Sequence, residues 1–173
     1  MHAILKKLSG GDRRSIGRSN EIAADVLVRP AQSPRLLKVL IGALTSPDEV
    51  LRMRSADAVE KITMQRPELL QPFKKNLLSL AGTITQKEVR WHLALLIPRL
   101  KLTATERAVS VEILFDYLRD KSSIVKIFAM QSLADLASTD QKLKSQIRPL
   151  LEELTQIGTP AMRARGRKIL RKL

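Results

Sequence analysis

Four stretches decide the fold: DEVLRMRSADAVEKI (48–62), KEVRWHLALLIPRL (87–100), SIVKIFAMQSLADLA (123–137) and PAMRARGRKILRKL (160–173). Aligned on Arg52, Arg90, Lys126 and Arg163 they share one frame, with spacings of 38, 36 and 37 residues. Three places on stand Ser55, Leu93, Ala129 and Gly166. Seven places on stand Val59, Ile97, Leu133 and Leu170, and ten places on Ile62, Leu100, Leu136 and Leu173. A cation opens each run, and apolar residues then return down one face at the period of a helix.

Working outward, a partner helix precedes each of these runs. The expected pairs are 34–44 with 47–65, 67–81 with 85–100, 103–119 with 123–137, and 140–156 with 160–172. They make hairpins at about 34–65, 67–100, 103–137 and 140–172. Apolar stripes carry the first helices, for example Leu36/Leu37/Leu40/Ile41/Leu44 and Leu143/Ile147/Leu150/Leu151/Leu154. Starts are marked by Ser33-Pro34 and Thr159-Pro160, and by Ser46/Glu49, Thr85/Glu88 and Thr103/Glu106 at capping-box spacing. Pro98 falls inside a second helix and predicts a kink or early end there. Residues 15–28 read as a lone N-terminal capping helix, with a short helical piece at 3–8 ahead of it.

A helix pair repeated at about 37 residues is the signature of a solenoid, because one hairpin cannot bury its own apolar face. Small residues such as Ser55, Ala56, Ala58, Ala129 and Ser132 let successive second helices approach closely. The joining segments are short, so 1–173 reads as a single domain.

The four runs resemble the second helices of HEAT repeats, a class of armadillo-type helical repeat. In those, an aspartate or proline turn leads into Val-Arg and an Ala-rich stretch. The resemblance covers roughly 31–173 and implies an all-α, α-α superhelix of about four hairpins. Such repeats serve as scaffolds in transport, assembly, translation and DNA-associated proteins alike, so the resemblance names an architecture and not an activity.

Composition excludes several classes. The chain has 173 residues, 31 Lys or Arg against 17 Asp or Glu, two His and no Cys. Without Cys there is no disulfide, iron–sulfur cluster or thiol nucleophile. No apolar run is long enough to span a bilayer. The N-terminal MHAILKKLSGGDRR lacks the apolar length and cleavage pattern of a secretory signal. A cytoplasmic protein without stable membrane insertion is expected. A metal or triad site would have to recruit His92, since His2 stands at the N-terminus, and neither a nucleophile elbow nor a Gly-x-x-x-x-Gly-Lys loop is present. Catalytic residues, metal ligands and cofactors are therefore all read as none, and a small-molecule substrate is not expected.

What remains is charge. Residues 1–20 hold a local +4 and the last sixteen a local +6, leaving +4 for the other 137. Stacking at 8–10 Å would align Arg52, Arg90, Lys126 and Arg163 along one rim, with Arg54, Arg99, Arg165 and Lys168 widening it. The first three read as bonding to loop carbonyls or acids of the adjacent repeat, and Arg163, Arg165, Arg167 and Lys168 as meeting a partner. Trp91 lies off the core stripe of its helix and reads as seam packing or as a surface contact. The expected function is a non-catalytic scaffold that binds an acidic protein segment through its second-helix face and basic C-terminus. The alternative is a binder of nucleic-acid phosphate backbone with little sequence preference. A DNA glycosylase-like enzyme ranks third, for lack of any convergent set of titratable groups. An amphipathic membrane-surface role for 160–173 competes with the need of the same apolar residues to close the last repeat.

Overall fold

The computed structural model describes residues 2–173, which form ten α-helices. These are α1 (Ala3–Leu8), α2 (Ser19–Leu27), α3 (Ser33–Gly42), α4 (Glu49–Gln65) and α5 (Lys74–Thr83). They continue with α6 (Lys87–Leu96), α7 (Ala104–Leu118), α8 (Ser123–Ala137), α9 (Gln141–Ile157) and α10 (Pro160–Leu170). The repeat frame has a simple structural meaning. Arg52, Arg90, Lys126 and Arg163 are each the fourth residue of their helix. The places three and ten residues on are buried in all four copies, because α2, α4, α6, α8 and α10 each pack on the next. The odd-numbered helices flank that row: α3 packs on α4, α7 on α8, and α9 on both α8 and α10. One continuous core runs through the row, from Ile4 and Leu8 to Ile169 and Leu173.

Local chemistry moves several expected boundaries. The N-terminal helix begins at Ser19 and not at 15, because Gly17 takes a positive φ of 55° and the chain before it is a loop. The segment expected as a helix over 67–81 opens as a 3-10 turn, Pro67–Phe73, with Pro72 inside it. Proline supplies no backbone donor, and the α-helix starts only at Lys74. Pro98 likewise ends α6 at Leu96 and leaves a 3-10 turn, Ile97–Arg99. Pro149 by contrast is carried within α9.

Of the three capping boxes expected, one forms as drawn: Thr103 accepts from the Glu106 amide and Glu106 accepts from that of Thr103. At α4 the cap is Asp48, which accepts from the amides of Val50 and Leu51, while Ser46 only braces the Asp48 amide. At α6 the cap position is Gln86, whose side chain reaches instead to the neighbouring helix. Helices α9 and α10 approach closely. A Cβ on Gly166 would stand 2.9 Å from the Thr155 Cβ and closer still to its hydroxyl, so only glycine fits there. No helix among the described residues is long and apolar enough to cross a membrane.

Candidate functional site

The rim formed by the opening cations is largely consumed by the fold. Arg52 donates to the carbonyls of Ser46 (2.6 Å) and Pro47 (3.2 Å), and to Gln86 Oε1 (2.7 Å) of the next hairpin. The other end of the Gln86 side chain donates to the Glu49 carbonyl, so the two helices are clasped together. Arg90 repeats the arrangement one hairpin later. It donates to the Ile84 carbonyl (2.8 Å), to Asp120 (2.7 Å) and to Asp116 (2.9 Å), and lies 4.6 Å over the Tyr117 ring. Tyr117 is itself buried and donates to the Ala81 carbonyl, and burial pushes its hydroxyl well above the usual phenol range. Lys126 stands half-buried in the opening turn of α8.

Arg54, expected to widen the rim, is not on a surface. It is 6% exposed, and its guanidinium donates to the carbonyls of Leu8, Gly10, Asp12 and Ser15. Four of its five N–H groups are spent on that loop, and burial keeps the side chain from a ligand. The loop is shaped to fit: a Cβ at Gly17 would meet the guanidinium carbon at 2.8 Å. Arg99 is also turned inward, to the Glu60 carbonyl and carboxylate and to Thr63.

Trp91 packs against the core on the seam between α6 and α8, stacked on His92 and on Phe128, whose ring centre is 5.3 Å away. His92 is 1% exposed. Its Nδ1 lies 2.5 Å from the Glu88 carbonyl and its Nε2 3.4 Å from Asp57 Oδ1. Asp57 accepts also from Ser19 and from Lys61 (2.5 Å). Burial pushes the Asp57 carboxyl up, but the hydrogen bonds from His92, Lys61 and Ser19 outweigh it and hold the group at about 2. Ser, His and Asp therefore meet here, in the wrong order for nucleophilic catalysis. The carboxylate sits between the hydroxyl and the imidazole, the serine has no contact with the base, and all three are buried. Sequence reading missed Asp57 because Ser19 and His92 reach it from 38 and 35 residues away. Among the described residues no three His, Asp or Glu side chains are grouped to hold a metal.

The C-terminal end differs. Residues 141–173 carry nine cations against two acids, half of the chain's net charge. Arg148–Glu152 is the one ion pair formed within this segment among the described residues. Met162 and Ile169 turn into the core, which leaves the polar side of α10 outward. Arg163, Arg167 and Lys168 are exposed, and Arg165 is half-buried. A cleft of about 350 Å³ opens between α8 and α10, bordered by Lys144 of α9. Arg165, Lys168, Arg171 and Lys172 line it over an apolar floor of Ala134, Ile169 and Leu173, and Asp135 is the one acid. Thus Arg165 and Lys168 are brought together, whereas Arg163 and Arg167 are not part of the lining.

No family model and no curated protein matches the sequence. Among solved structures it is similar to the crystal structure of an engineered protein, at 17% identity and a TM-score of 0.52, over 98% of this chain and 94% of that one. A likeness at that identity speaks to the fold alone.

Proposed function

We propose that the chain is a HEAT-like solenoid working as a non-catalytic scaffold, and that an acidic protein segment docks against its C-terminal hairpin. The carrying observation is the imbalance of cations left over by the fold. Arg52, Arg54, Arg90 and Arg99 spend their donors inside the molecule, whereas the cations of α10 meet almost no acid of the chain. A cluster of like charges that the fold does not neutralise favours an anionic partner and speeds its encounter. A protein segment fits better than nucleic acid for two reasons. Of the cations that would continue a phosphate track along the row, Arg52 and Arg90 are already bonded and Lys126 alone is left among the described residues. Trp91 and Phe128 are stacked on each other and not offered to bases.

The test is a fluorescence-anisotropy titration of a short Glu-rich peptide, duplex DNA, single strands and structured RNA at about 50, 150 and 300 mM salt. The reading expects peptide binding that persists at the middle salt. Reversing Arg163, Arg165, Arg167 and Lys168 to Glu is expected to abolish it without loss of helical circular dichroism. Tight nucleic-acid binding with a steep salt slope would replace the reading by the phosphate-backbone alternative.

A further inference from the structure

The cleft at the C-terminal end has an internal reference at the other end of the molecule. Two places after the opening cation of each second helix stand Arg54, His92, Phe128 and Arg165. The first three are closed in by the chain itself. Arg54 lies under four loop carbonyls, His92 between Glu88 and Asp57, and Phe128 under Trp91. Arg165 occupies the same place in the last helix. Among the described residues its guanidinium makes a single hydrogen bond, to Gln131 Oε1 at 3.3 Å, and lies 5.9 Å over the Phe128 ring. The amide of Gln131 donates in turn to Asp135 (2.8 Å), so the one acid of the cleft already has its partner.

We propose that this cleft is a phosphate-binding site whose ligand is a phosphorylated serine or threonine within the docking segment; the inference rests on the proposed function. Five cations fix its chemistry, Arg165, Lys168, Arg171, Lys172 and Lys144, set against the single charge of Asp135, which accepts from the Gln131 amide. A carboxylate brings one charge and two oxygens. A phosphomonoester brings a charge of about −1.5 to −2 and three strong acceptors, which matches a cleft lined by several cations. Arg165 supplies the fork that takes two of those oxygens at once, and lies within cation–π reach of Phe128. The apolar floor of Ala134 and Ile169 accepts the side-chain carbon and a neighbouring residue of a peptide. A cleft of about 350 Å³ has room for one phosphorylated side chain, whereas a duplex presents its phosphates in a row along an extended surface. The N-terminal end shows that a backbone segment can lie across an arginine at this place in the frame, since the loop after α1 does so over Arg54.

The experiment compares a Glu-rich peptide with one central serine and the same peptide with that serine phosphorylated, by anisotropy at about 150 mM salt. The phosphopeptide is expected to bind about tenfold tighter. Arg165→Gln should erase the difference while leaving a folded protein by thermal melting, and Arg165→Lys should restore only part of it, because lysine lacks the fork. Equal affinity of the two peptides for the native protein overturns this inference and leaves the acidic-segment reading standing. Binding of neither peptide overturns both. Inorganic phosphate displacing the phosphopeptide at equal concentration overturns the peptide as the source of the phosphate, and tighter binding of duplex DNA overturns the choice of ligand class.

Discussion

Arg54 and Arg165 are the same residue type at the same place in the repeat frame, and they have opposite fates. At the N-terminal end the chain folds its own loop back over the guanidinium and satisfies it with four carbonyls. At the C-terminal end no such loop covers α10 among the described residues, and the guanidinium lines an open cleft. The contrast extends three places further along the helix. There α4 has Asp57, buried and bonded to α2 and α6, and α10 has Lys168, exposed. A cationic ladder written into a repeat is therefore not one functional unit. Whether each rung holds the fold or meets a partner depends on what the neighbouring segment offers it.

The largest effect should come from breaking the closed end. Arg54→Met keeps the bulk but strands the loop carbonyls, and should cost about 3 kcal/mol and expose 8–17 to protease. A thermal melt with limited proteolysis reads both. Gly166→Ala tests whether the open end is equally rigid beneath its cleft. The added methyl overlaps Thr155 and should cost about 2 kcal/mol, with part recovered in the double variant carrying Thr155→Ala.

Next in size is a pH effect confined to the closed end. The Asp57 carboxyl is held below its unfolded value, so its contribution is complete above about pH 4 and is lost as the pH falls toward 2. Denaturant titrations of Asp57→Asn and of the native protein should show an acid limb shallower by about 2 kcal/mol in the variant. The smallest effect sharpens the contrast most: Arg165→Gln should change stability by less than about 0.5 kcal/mol in the same titrations.

Much of the row was legible beforehand. The frame set by Arg52, Arg90, Lys126 and Arg163 found four helices and the positions they bury, because burial at helical period leaves a strong pattern even without a partner in view. The breaks at Pro72 and Gly17 were less legible. Each depends on how a neighbouring segment lies, and proline inside a helix is tolerated in one place, Pro149, and not in another. The site was legible in outline. Charge density pointed to Arg163 onward, but nothing local distinguishes Arg54 from Arg165. Their acceptors lie 39 to 46 residues away for the first, and for the second a single partner lies 34 residues away. Asp57 escaped notice for the same reason, since Ser19 and His92 reach it from other helices.

The most direct test is to titrate the Glu-rich peptide into three proteins side by side: native, Arg165→Gln/Lys168→Gln, and Arg52→Gln, each shown to be folded at the assay temperature. The account predicts that the first variant loses most of the affinity while Arg52→Gln binds as the native protein does. Equal losses in both, or no loss at Arg165 and Lys168, would contradict it.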